Sequence, residues 1–169
     1  MRSAVVYFSV GGNTEQVARA IAEARLPGEV DLAELKSAPP LEGYDLVFVG
    51  MPIHQFGAPP AVRDYLQGAC QGRRVALFIT HAASVDMPEL APWLAACREA
   101  AEGCDVVGVF NCQGQVPPAT RQQWIDSGVP MLVQFGQMAS IADGQPDDAA
   151  LLRAQDVARE VASTAAVPA

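Results

Sequence analysis

Apolar positions along this chain alternate between two patterns. Residues 3–10 (SAVVYFSV), 44–51 (YDLVFVGM), 74–80 (RVALFIT) and 105–112 (DVVGVFNC) are nearly continuous in apolar character. Runs of that kind predict strands covered on both faces, as in a parallel sheet lying between helices. Residues 29–35 (EVDLAEL) instead mix Val30 and Leu32 with Asp31 and Glu34, which predicts an edge strand. Between the strands, apolar residues recur at helical spacing: Val17, Ala20, Ile21 and Ala24, then Val62, Tyr65, Leu66 and Ala69, then Trp93, Ala96, Cys97, Ala100 and Ala101. On the same ground Trp93 and Trp124 are assigned to the core. The alternation of strand and helix predicts right-handed βαβ units and a doubly wound sheet.

Local signals set the boundaries. Pro59 and Pro60 suit the first turn of a helix, and residues 146–163 open with Asp147 and Asp148, which favour a helix N-terminus. Residues 131–144 fit neither period and receive no element. Residues 1–164 are read as one domain, with 165–169 expected to fray.

Composition narrows the class. Half of the 169 residues are hydrophobic and 18% are charged, which excludes low-complexity disorder. The longest apolar runs, such as VALFI, are too short to cross a bilayer, and the N-terminus enters a strand without a signal-peptide layout. The expectation is a cytoplasmic protein without membrane insertion. Cys70, Cys97, Cys104 and Cys112 form no CxxC pair and have no histidine cluster near them, so they read as small buried thiols and no metal is expected. The net charge of −8 excludes a polyanionic partner such as nucleic acid and favours a basic protein surface.

The first strand runs into SVGGNT, residues 9–14. A helix start offers free backbone N–H groups and the positive end of the helix dipole, so a glycine-rich loop there is a natural anion cradle. A nucleoside triphosphate loop would need a lysine after the glycine, and Asn13 stands there. The dinucleotide fingerprint also fails for want of its third glycine. What remains suits a terminal phosphate monoester, held by hydroxyls of Ser9 and Thr14, the Asn13 side chain and backbone amides, with no cation. The alternative is a plain turn in which Asn13 caps the helix and Gln16 completes a capping box. These residues alone leave both readings open. Two further unusual loops, MPIHQFGAPP (51–60) and THAAS (80–84), follow the next two inner strands and are expected at the same rim.

VVYFSVGGNTEQVARAIAE resembles the first loop and helix of the flavodoxin family, and GMPIHQFGAPPAVRDYL, ALFITHAA and GQPDDAALLRAQDVARE resemble its later segments in short bacterial members. The resemblance implies a flavodoxin-like, doubly wound, five-stranded parallel sheet of order 2-1-3-4-5 with helices on both faces; this order, and FMN at its switch point, are properties of flavodoxin itself. It also implies non-covalent FMN. Ser9, Gly12, Asn13 and Thr14 would hold the phosphate, with backbone contacts from Val10 and Gly11. Pro52, Ile53, His54, Gln55, Phe56 and Gly57 would meet the ring from the second loop, and Thr80, His81, Ala82 and Ala83 from the third. Phe56-Gly57 is similar to the family's aromatic–glycine pair. Gly11 departs from the family, which commonly has a hydroxyl residue there, and the third loop offers His81 in place of the usual tyrosine.

The expected function is electron transfer through FMN, with a basic redox protein as partner. An alternative is an FMN-dependent oxidoreductase, or its flavin subunit, reducing a quinone, a tetrapyrrole or a similar small conjugated substrate; His54 or His81 would then donate a proton. A third reading is a cofactor-free binding module of the same fold. No Ser-His-Asp, Cys-His or paired-carboxylate arrangement at the expected rim competes with these.

Overall fold

In the computed structural model, which describes residues 1–165, all five predicted strands join one parallel sheet in the order β2-β1-β3-β4-β5. The elements run β1 (Arg2–Tyr7), α1 (Asn13–Ala22), β2 (Glu29–Glu34), β3 (Leu46–Pro52), α2 (Pro60–Gln67), β4 (Arg74–His81), α3 (Leu90–Glu99), β5 (Asp105–Gln113), α4 (Pro118–Asp126), α5 (Pro130–Met138) and α6 (Asp148–Ala165). This is the flavodoxin-like architecture expected from the sequence.

Side chains alternate across each strand, so neighbouring residues feed opposite layers. Ala4 and Val6 of β1 join Val47, Val49 and Met51 of β3 and Val62, Leu66 and Cys97 of α2 and α3 in one buried cluster. Val5, Phe48 and Phe78 point the other way, onto Val17 and Ile21 of α1 and Ala154, Ala158 and Ala162 of α6. The alanine stripe of α6 lets that helix lie close to α1 and the sheet. Asp147 sits at its head, and its Oδ1 accepts the Ala150 N–H at 2.8 Å, an N-cap that ends the preceding loop.

Three expectations need correction. β5 is an edge and not a strand covered on both faces: Asp105, Val107, Val109 and Asn111 are exposed in alternation. Ala69 lies beyond α2 and is exposed, its place in the core being taken by Cys70. Residues 131–144, left without an element, hold most of α5 and a short 3-10 helix, Ala139–Ala142. Of the expected frayed tail, Ala165 is the last residue of α6, and residues 166–169 lie outside the described residues. Among the described residues, no helix is long and apolar enough to cross a membrane. All four cysteines are free; Cys70, Cys97 and Cys112 are buried and Cys104 is half-buried.

Candidate functional site

Parallel strands place all their carboxyl ends on one rim, and the strand order reverses between β1 and β3. A crevice opens at such a switch because the connections leave in opposite directions. The loops after β1, β3 and β4 converge there, as the sequence predicts.

The first loop turns on Gly12, whose φ of 86° places it in the left-handed region at the N-cap of α1. No side chain caps the helix, so the capping box is not formed. Asn13 is instead the first helical residue. Its Nδ2 donates to the Gln115 carbonyl at 2.9 Å, and its Oδ1 is buried without a partner. Gly114 makes that reach possible, since a Cβ there would lie 2.7 Å from Asn13 Cγ. Asn13 thus ties the start of α1 to the loop after β5.

Ser9 Oγ accepts the Gly12 N–H at 3.1 Å and retains its own proton. Among the described residues, the N–H groups of Val10, Gly11, Asn13, Thr14 and Glu15 donate to no protein acceptor. Val10 and Gly11 are exposed. The Thr14 hydroxyl is buried and shares a 2.8 Å hydrogen bond with that of Thr80, which locks the first loop to the end of β4. The adjacent Glu15 is engaged by Arg19 at 2.6 Å. The result is a fan of amide donors at a helix N-terminus.

The second loop is a tight hairpin turn. His54 and Gly57 exchange both backbone hydrogen bonds, at 2.8 and 3.0 Å, around Gln55 and Phe56. Both central residues have positive φ, 46° and 68°. That conformation normally calls for Asn-Gly, and other residues held in it cost roughly 1–3 kcal/mol each. The strained turn holds Phe56 on the surface, 44% exposed, with its ring 5.1 Å from that of Trp93 and tilted by 40°. Trp93 in turn meets Phe135 of α5 edge-on at 6.3 Å. Pro52 and Ile53 are half-buried leading into this turn, and Gly57 is buried behind it.

In the third loop, His81 is buried and its Nδ1 lies 3.2 Å from the Ala83 carbonyl. Its Nε2 lies 3.1 Å from the side-chain amide of Asn111. Burial lowers its pKa, against smaller raising contributions from these two hydrogen bonds. Both contacts are to oxygen acceptors, the Ala83 carbonyl and Asn111 Oδ1, and a neutral ring donates to one of them. Gln113 Nε2 donates to the same carbonyl at 2.9 Å, so the Ala82-Ala83 turn is held from two sides. The two contacts of His81 fix its ring at the end of β4. His54, at the other rim loop, is exposed.

Between the second and third loops lies a cavity of about 420 Å³. Its floor is formed by the turns around Phe56 and Ala83, and its roof by α4 and α5 through Trp124, Met131, Leu132 and Phe135. Trp93 and Trp124, assigned to the core from the sequence, are half-buried and line this cavity instead. The roof was not legible as part of a site. Its helices do carry a signal, proline at the first helical position in Pro118 and Pro130, the same feature that marks Pro60 in α2.

Fold and rim together define a doubly wound α/β protein whose first loop presents free amides at the β1/β3 switch and whose aromatic cavity lies between the loops after β3 and β4. The chain belongs to the flavodoxin family: the flavodoxin domain model matches residues 4–159. A flavodoxin from the domain Archaea superposes with a TM-score of 0.61 over 98% of this chain and 99% of that one, at 17% identity. A flavodoxin of Streptococcus pneumoniae TIGR4 gives 0.58 over 97% and 99%, at 13% identity. A Lactobacillus acidophilus NCFM flavoprotein, solved in complex with FMN, gives 0.53 over 73% and 97%, at 16% identity. No curated protein matches in sequence.

Proposed function

We propose that this protein binds FMN at the β1/β3 rim and transfers electrons through it. The observation that carries the reading is the pairing of the unsatisfied amides of Val10, Gly11, Asn13, Thr14 and Glu15 with an aromatic cavity one loop away. The two ends of FMN ask for these two environments: a phosphate needs donors and positive potential, and a flat ring system needs apolar walls. The residues present fit the group. Gly12 leaves open space where a side chain would stand, and an anion at the loop meets N–H donors instead of desolvated carboxylates.

In this reading the N–H groups of Gly11, Asn13 and Thr14, with the Ser9 hydroxyl, hold the phosphate. The α1 dipole favours its charge. The buried Thr14–Thr80 hydrogen bond positions the loop. Phe56 and the turn at Ala82-Ala83 border the ring, and the N–H groups of Gln55 and Phe56, which have no acceptor among the described residues, are donors available to its edge. FMN supplies the electron-accepting chemistry when bound. The acidic surface accords with a basic redox partner, and four free thiols accord with a reducing, cytoplasmic setting.

The test is reconstitution. Protein mixed with excess FMN and desalted is expected to keep a flavin spectrum at one equivalent and to quench the flavin's fluorescence. A colourless protein after desalting overturns the proposal.

A further inference from the structure

Asn111 and Gln113 stand two residues apart near the end of β5, on one face of the sheet, opposite Ile79 and His81 of β4. Neither lines the cavity, and both side chains bond to the third loop. Asn111 Oδ1 lies 3.1 Å from His81 Nε2, and Gln113 Nε2 donates to the Ala83 carbonyl at 2.9 Å. His81 Nδ1 lies 3.2 Å from that same carbonyl, but a neutral ring has one proton to divide between two oxygen acceptors. Gln113 is therefore the donor on which the Ala83 carbonyl depends, whichever tautomer His81 adopts. Among the described residues, every hydrogen bond from residues 82–89 to the sheet ends on that one oxygen. The remaining bonds of the segment, such as those of Ser84 with the N–H groups of Asp86 and Met87, are local turns.

A trans peptide directs its C=O and its N–H to opposite sides, so whatever holds the Ala83 carbonyl also aims the Ser84 N–H. That N–H has no acceptor among the described residues, and Ala83 and Ser84 both line the cavity. We propose that Gln113 is a positioning residue of the flavin site: it anchors the Ala83–Ser84 peptide to β5 and so presents the Ser84 N–H as a donor to the edge of the ring. The proposal rests on the FMN reading above. A donor held at the ring favours the reduced form, which carries the greater negative charge, and a donor free to rotate loses that advantage. The residue type suits the task. Methionine has a similar length and no donor, whereas glutamate would set a carboxylate oxygen against the Ala83 oxygen.

Two measurements test this, one of them without flavin. In FMN-free protein, amide-nitrogen relaxation is expected to show the Ser84 N–H as rigid as the strands, with an order parameter of about 0.85, and in Gln113→Met below about 0.6. Gln113→Lys, which keeps an N–H donor within reach, is expected to restore the rigid value. In FMN-loaded protein, Gln113→Met is expected to weaken oxidised FMN and riboflavin alike, so that the ratio of their affinities stays within twofold of wild type and the phosphate grip is seen to be untouched. Reduced FMN is expected to weaken roughly tenfold further, which lowers the two-electron midpoint potential by about 30 mV. Gln113→Glu serves the same purpose should the methionine variant lose its native circular dichroism. A Ser84 N–H that stays rigid without the Gln113 donor overturns the proposal, and so does a mobile Ser84 N–H with an unchanged potential. A wild-type protein that retains no FMN overturns the FMN reading instead, and the relaxation measurement still decides whether Gln113 holds the loop.

Discussion

Phe56 shows how much this rim spends on one side chain. Its φ of 68° is strained for a residue with a Cβ, and its neighbour Gln55 shares the strain. Phe56→Gly relaxes the turn, worth roughly 1 kcal/mol or more. It also removes the contact with Trp93, worth about 0.5–1.5 kcal/mol. Urea midpoints are therefore expected to move little, while FMN affinity falls at least tenfold in a fluorescence titration. Gly12 carries the opposite balance. A Cβ there meets nothing within 4 Å, so Gly12→Ala introduces no clash, yet the left-handed backbone costs it about 1–2 kcal/mol. That loss should appear in the urea midpoint of the apoprotein, before any ligand is added. His81 sets an acid limit. Its folded pKa lies below the ordinary imidazole value of 6.5, so between those two values the unfolded chain binds the additional proton. Stability then falls as pH drops through that window and levels off below it. Urea midpoints at about pH 7.5 and about pH 5.5 are expected to differ, and the difference is expected to shrink in His81→Gln.

At the scale of elements, the strands were readable because burial on both faces writes itself as an unbroken apolar run, and β1, β3 and β4 are the three inner strands that satisfy this. β5 was misread for an instructive reason. Val106, Val107, Val109 and Phe110 look like a covered strand in one dimension, but only adjacency in the sheet tells an edge from a centre. The Gly-Gly-Asn-Thr bend was readable through its backbone freedom, whereas the choice between cap and anchor for Asn13 depended on Gln115, far along the chain. α4 and α5 were the least legible elements, since their apolar residues serve a cavity and obey no core periodicity. That arrangement has a dynamic consequence. Helices with almost no buried residue open locally at small free-energy cost. Amide hydrogens of α4 and α5 are expected to exchange at least tenfold faster than those of α6, whose alanine stripe is buried, when followed by mass spectrometry. Slow exchange in α4 without any ligand would show that the hairpin is stable by itself.

Across the whole molecule, the net charge of −8 sets the approach of any anion to the first loop. FMN carries a phosphate of the same sign, and Arg19, the cation of the first helix, is engaged by Glu15. On the proposed reading, capture proceeds against the long-range field, with attraction arising only at contact with the free amides of Gly11, Asn13 and Thr14. Salt screens the first and scarcely touches the second: the Debye length falls from about 30 Å at about 0.01 M to about 10 Å at about 0.1 M. The association rate of FMN with apoprotein is thus expected to rise severalfold over that range in stopped-flow fluorescence, and the dissociation rate to stay nearly constant. Riboflavin, which lacks the phosphate, should show neither the rise nor comparable affinity. An association rate for FMN that falls with added salt would mean a cation at the cradle, and the amide-only account of the first loop would then be wrong.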